Sequence, residues 1–445
     1  MEKNTRKKEI LKEIMKYSVP SIIAMIMSSM VTIVDGLFIS NILGKDILAA
    51  INIGMPMLYV FLAIGIMIGV GGVSLAGRRL GQKNFKDSNN VFKQTIFTAA
   101  ISLYILSLIF RIGLDFGLET LGIASNSCET IINYYGILLW IYPMMMMNII
   151  MGMFLRCEKK HHILMLNTVV ITVTNILLDY YLIAKINMGV LGAATASTFA
   201  IIIGMILMIS NFLNDKSIFT FGKFIFDKKD LKNTVLNGSS EFIGQISMSI
   251  TIFFLNLVVM NRLGLVGVAA ISIIGYTAYI FNMIVVGFGQ GISPLISYNY
   301  GSNNLKMCND LRKETSKIVI ISGLFFCIVL LMFASSYGKL FTDSKELLGL
   351  ISFGLPIFSI SFITSGYNVI TSFYFTGIGF AKESALISSL RSLLLLLLNI
   401  FILPIMFGDL GIWLIAPVTE TITLLVAVIL IKKSKNGTEN TMVKI

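Results

Sequence analysis

Twelve stretches of this sequence are each apolar over about 20 residues or more, the length an α-helix needs to cross roughly 30 Å of hydrocarbon, and only short polar breaks separate them. They run approximately over 17–40, 47–75, 94–114, 133–155, 163–184, 190–213, 235–260, 265–299, 318–338, 347–377, 384–407 and 411–431. Inside a bilayer every backbone N–H and C=O has to find its partner within the segment, so runs of this length are helices. An all-α polytopic membrane protein with twelve transmembrane helices is therefore expected. Composition agrees: 56% of the residues are hydrophobic and 13% charged, with a mean hydropathy of +0.85, outside the range of soluble chains. No break is long enough for a soluble domain. The basic segment before Tyr17 resembles a signal-peptide n-region, but the apolar run behind it is too long for an h-region.

The net charge of +12 would suggest nucleic acid in a soluble chain; here its placement makes it a topology signal. With the amino terminus inside, 28 of the 35 Lys and Arg residues fall on one side of the membrane, among them Lys3, Arg78, Lys160, Lys216, Lys228, Lys313 and Lys444, and six fall on the other. That asymmetry predicts cytoplasmic termini in the cytoplasmic membrane and leaves no role for nucleic acid.

A shift of 220 residues superposes Asn41, Leu43 and Gly44 on Asn261, Leu263 and Gly264, and Gly69, Gly71, Gly81, Asn84 and Lys86 on Gly289, Gly291, Gly301, Asn304 and Lys306. The chain is duplicated. Six spans per half is an even number, so the halves enter the membrane the same way, as parallel repeats about an axis along the normal. The expected organisation is an amino-terminal six-helix bundle over 1–213, a cytoplasmic connector over 214–234 whose aromatic and basic residues suit the interface, and a carboxy-terminal bundle over 235–445. The glycines of the second span, Gly65, Gly69, Gly71, Gly72 and Gly77, are read as points of close helix approach.

Polar residues inside the spans carry the functional reading. The stretch ITVTNILLDYY places Asn175 and Asp179 at i,i+4, on one face of the fifth helix. An ionised carboxylate at mid-membrane costs roughly 2.5–3.5 kcal/mol even on insertion scales, so it needs a partner or a purpose. This face is expected to bind a cation. Asp35 lies most of the way along the first span, Glu241 and Gln245 share a face near the start of the seventh, and Glu420 is embedded in the twelfth. Arg391, in the eleventh, is the one basic residue read as lying well inside a run, and an acid is its expected partner.

With its duplication, the Val34-Asp35 pair of the first span, the Asn175-x-x-x-Asp179 of the fifth, Gly192-Ala193-Ala194, and the QGISPLISYNYG run of the eighth span, the chain resembles the multidrug and toxic compound extrusion (MATE) transporters over essentially its whole length. The resemblance implies a V-shaped pair of six-helix bundles that exports hydrophobic organic cations in exchange for sodium or protons. It implies an amino-lobe cation site of Asp35, Asn175, Asp179 and Ser197, with Tyr134 nearby, and leaves Glu241, Gln245 and Glu420 as carboxy-lobe candidates. The same four amino-lobe residues would be the ligands if the ion is Na+. Tyr180 stands where the family often carries proline.

The chemistry is consistent with either ion. Two carboxylates, an amide and a hydroxyl are hard oxygen donors suited to sodium, and a buried carboxylate can equally carry a proton. No Walker loop, dinucleotide fingerprint or metal-ligand cluster appears, so neither an enzyme nor a cofactor is expected beyond the coupling ion. A monomer in the bilayer is expected. Two other readings stay open. A lipid-linked saccharide flippase of related architecture would need cationic residues in its cavity, for which only Arg391 is a candidate; a non-transporting receptor or scaffold is the other, and uptake of a labelled organic cation into everted vesicles separates all three.

Overall fold

We describe the protein from a computed structural model, which covers residues 2–120, 125–214 and 217–442. Lys216 and Lys444 of the charge pattern lie outside the described residues. The described elements are α1 (Glu2–Phe38), α2 (Lys45–Gly81), α3 (Phe85–Thr120), α4 (Ser125–Cys157), α5 (His161–Asp179), α6 (Gly189–Phe212), α7 (Lys228–Gly301), α8 (Leu305–Lys339), α9 (Lys345–Ser359), α10 (Ser361–Ile378), α11 (Ala381–Ser389), α12 (Leu395–Phe407) and α13 (Asp409–Met442). Three π turns continue the helices: Ile39–Leu43 after α1, Tyr180–Lys185 after α5, and Leu390–Leu394 joining α11 to α12.

Ten of these helical stretches are long and apolar enough to cross a membrane, and α9 with α10, bent by 43°, form an eleventh. At 1.5 Å per residue the 74 residues of α7 would reach about 110 Å, far more than one crossing uses. It breaks at Gly264, whose φ of 62° and ψ of −161° only glycine adopts without strain. Dividing α7 there brings the spans to the expected twelve. The helices run past the apolar stretches at their polar ends because hydropathy reports the bilayer, whereas the helix ends where its backbone does.

The chain forms two compact units. The first comprises Lys16–Gly238 with Ser297–Asn304. Its core is aromatic, with Phe92 packed against Phe154, Phe212 and Phe219 at ring separations of 4.9–5.3 Å. Phe219 belongs to the connector, which side-chain amides hold at backbone positions: Asn89 accepts from Thr220 N, Asn90 from Ile225 N and Gln94 from Asp227 N. Arg79 then fixes the start of α7 with a two-pronged contact to Asp230 at 2.8 and 2.6 Å. Backbones meet where glycines allow it, as the second-span pattern predicts. A Cβ on Gly71 would lie 1.9 Å from Thr234 O, and one on Gly238 1.8 Å from Met67 O. Gly81 and Gly301, equivalent by the 220-residue shift, make reciprocal contacts with the backbones of Tyr298 and Arg78, which are themselves equivalent.

The second unit comprises Met1–Met15, Ser239–Ile296 and Leu305–Ile445. In it α8 and α10 pack without intervening side chains at Gly323, whose Cβ would meet Phe362 O at 2.2 Å, and Trp413 of α13 fills the space left by Gly354 of α9. Arg6, near the start of α1, reaches Asp310 of α8 at 2.9 Å.

Candidate functional site

In the first unit the sequence-predicted residues converge. Asp179 ends α5 and is fully buried, and Asn175, one turn earlier, is 1% exposed on the same face. The Asp35 side chain, half-buried on α1, lies within hydrogen-bonding reach of both Asp179 and Asn175. Asn175 Nδ2 donates to Ser197 Oγ of α6 at 3.2 Å. Tyr134 of α4 is buried within electrostatic range of both aspartates and stacks edge-on against Tyr135 at 5.1 Å. Local sequence positions these groups. Thr172, one turn before Ile176, donates to Met27 O and so ties α5 to α1, while Ala193, Ala194 and Ala196 let α6 approach closely.

The arrangement is rich in acceptors. Asp35 Oδ1, Asn175 Oδ1 and both carboxylate oxygens of Asp179 are buried without a hydrogen-bond donor among the described residues. Two carboxyl groups can face each other at hydrogen-bonding distance only when a proton or a cation lies with them. Both ionised, at about 4 Å and an effective dielectric near 20, they would repel by about 4 kcal/mol. The arrangement offers acceptors suited to a positive charge.

Three of the embedded charges, Asp35, Asp179 and Arg391, also sit at a π turn. Asp179 immediately precedes Tyr180–Lys185, Asp35 lies one turn before Ile39–Leu43, and Arg391 falls inside Leu390–Leu394. Such bulges widen one turn and redirect the side chains beside it, and they concentrate at functional sites. Position 180 reaches this bend with tyrosine rather than proline.

The second unit gathers its embedded charges differently. Arg391 Nη2 meets Glu420 Oε1 at 2.9 Å, and Asn368 Nδ2 donates to Glu420 Oε2 at 2.7 Å and to Glu420 O at 2.9 Å. Asn399 donates to Thr419 Oγ1 one residue away. Glu241 lies within electrostatic range of Arg391 but forms no ion pair with it, and Gln245 makes no hydrogen bond to this group among the described residues. Sequence reasoning missed Asn368. Its signal, an amide inside an apolar span, is the one that identified Asn175. Two basic residues counted on the cytoplasmic side, Arg156 near the end of α4 and Arg312 near the start of α8, are buried at 6% and 4% exposed, because each lies on a helix packed in its bundle rather than in the loop beside it.

Comparison with known proteins gives the family and the fold. The family model described as MatE matches residues 20–181 and again 241–401, one match in each half of the duplication. The multidrug export protein MepA of Staphylococcus haemolyticus is 26% identical over 440 residues, covering 96% of this chain and 94% of that protein. MepA of Staphylococcus saprophyticus is 24% identical over 431 residues with the same coverage. Among solved structures, that of MATE in the bent conformation superposes with a TM-score of 0.91 at 22% identity, covering 97% of each chain, and so has the same fold.

Proposed function

Because the chain belongs to the multidrug and toxic compound extrusion (MATE) family, we infer that it exports hydrophobic organic cations across the cytoplasmic membrane in exchange for one Na+ or H+ held by Asp35 and Asp179. One observation carries the reading: four buried oxygens of Asp35, Asn175 and Asp179 converge without a donor among the described residues. A proton, a sodium ion or an organic cation satisfies the same oxygens, so each excludes the others. That mutual exclusion is antiport. The incoming ion discharges the carboxylates and weakens their hold on the substrate, and loss of the ion on the cytoplasmic side restores it. Asn175, linked to Ser197, keeps its buried Oδ1 without a donor among the described residues, and Tyr134 offers an aromatic face to an organic cation. The names of the staphylococcal relatives support the multidrug class of substrate.

The test is uptake of a fluorescent lipophilic cation into everted membrane vesicles. Uptake is expected when a Na+ or H+ gradient is imposed, and it should stop when that gradient is collapsed. Uptake that survives collapse of both gradients would refute exchange, and equal transport of an anionic dye would refute the cation cavity.

A further inference from the structure

Helix α8 carries a cation that the export site does not use. Arg312 stands seven residues from the first residue of the helix, about 10 Å along its axis, and is 4% exposed. A buried guanidinium ordinarily meets a carboxylate. Here the neighbouring acids are engaged elsewhere: Asp310 pairs with Arg6 at 2.9 Å and Glu314 with Lys317 at 2.6 Å. What meets Arg312 is aromatic. Nη1 donates to the Tyr367 hydroxyl at 3.4 Å, and the Tyr374 ring centre lies 5.5 Å from Cζ. The buried Nε–H has no acceptor among the described residues.

Three hydroxyls share this region. Thr315 and Ser316 follow Arg312 at i+3 and i+4 and so lie on its face of α8. Gly323 packs against Phe362, and Gly366 against Val319. That antiparallel register places Thr371 of α10 opposite the turn holding residues 312–315. Thr315, Ser316 and Thr371 are 0%, 4% and 0% exposed, and none of their hydroxyls has a hydrogen-bond partner among the described residues. Buried Ser and Thr in helices ordinarily donate to the carbonyl four residues back, as Thr423 does to Thr419. These three keep their protons for another acceptor.

We propose that Arg312, Thr315, Ser316 and Thr371 bind one small monovalent anion of the chloride class between α8 and α10. One fixed positive charge balances one negative charge, and the guanidinium and hydroxyls supply N–H and O–H donors only. A dianion such as phosphate would leave a net negative charge buried, a heavy desolvation cost. The site is separate from the aspartate pair and does not depend on what the protein exports.

Thermal unfolding of the purified full-length protein in sodium chloride and in sodium gluconate, at equal ionic strength, tests this. Chloride is expected to raise the midpoint saturably. The double variant Thr315→Val with Thr371→Val should weaken the apparent chloride affinity at least tenfold, the scale of losing hydrogen bonds to a charged group, while unfolding normally in gluconate. Equal midpoints in both salts, or an unchanged chloride response in the variant, would overturn the site in favour of hydration alone. Should the variant not fold, wild-type crystals grown in sodium bromide decide: an anomalous peak within hydrogen-bonding distance of Arg312 Nε supports the site, and its absence refutes it.

Discussion

The two units descend from one duplicated sequence, yet they treat embedded charge in opposite ways. In the first, Asp35 and Asp179 face each other with no basic side chain paired to either among the described residues. In the second, Glu420 holds Arg391 at 2.9 Å and is bonded by Asn368. A carboxylate with a built-in counter-ion has little need of a mobile one, whereas a carboxylate pair without one must take its charge from solution. On the proposed function, the difference would give ion exchange to the first unit and leave a structural role to the ion pair of the second. Both carboxylate sites lie beside an amide from the helix core, Asn175 in one and Asn368 in the other, so it is the cation that separates them.

The comparison breaks most sharply at transport. Asp179→Asn is expected to reduce gradient-driven efflux to background at normal expression, since one carboxyl alone no longer forces exchange; membrane insertion should be no harder, because an embedded charge is removed. Paired removal of charge in the second unit, Arg391→Met with Glu420→Gln, should leave efflux largely intact. Vesicle uptake alongside quantitative immunoblotting separates the two, and retained efflux in Asp179→Asn would reverse the assignment.

Stability should show the opposite pattern. Arg391→Met alone strands Glu420, whose side chain is 11% exposed. Breaking a buried pair by removing one partner costs about 3–5 kcal/mol, whereas replacing both by neutral groups of similar volume is often neutral or stabilising. The single variant is therefore expected to lower the thermal midpoint markedly, and adding Glu420→Gln should recover most of it. If the single variant is as stable as the parent, the pair is already solvated and the structural role fails.

These contrasts were legible in the sequence only in part. An acid inside an apolar run is visible one residue at a time, so Asp35, Asp179 and Glu420 stood out, and the i,i+4 spacing added Asn175. The break at Gly264 was legible too, since the apolar runs 235–260 and 265–299 stop on either side of it. The partners were not. Nothing local says that Asn368 meets Glu420, 52 residues away, or that the Tyr180–Lys185 turn is π rather than α, because both depend on what neighbouring helices leave free. Arg312 was hidden by its flanks: Lys313 and Lys317 make the segment read as a loop, and only packing of α8 on α10 buries one of the three.

A smaller effect should follow from Asn175→Ala. It removes one uncharged oxygen and the link to Ser197, leaving both carboxyls in place. Hydrogen bonds to charged groups contribute about 1.5–3 kcal/mol, so half-saturation for the coupling ion should rise by roughly ten- to a hundredfold, with the maximal rate less affected. An unchanged ion dependence would remove Asn175 from the site and leave the aspartates acting alone.

The smallest expected effect is that of membrane potential. If the two aspartates share a single positive charge, as their facing carboxyls and mutual repulsion favour, then one monovalent ion enters for each monovalent cation that leaves, and no net charge crosses. Each extra charge moved would draw about 2.3 kcal/mol per 100 mV, equivalent to roughly a fiftyfold steeper substrate gradient. In vesicles with the ion gradient held, clamping the potential to zero with valinomycin and equal K+ should therefore barely change uptake of a monovalent cation. A large loss would mean two ions per cycle. The second would then need a carboxylate of its own, and Glu241, within electrostatic range of Arg391 but not paired with it among the described residues, is the candidate from the sequence pattern; Glu241→Gln should in that case abolish the potential dependence while sparing exchange.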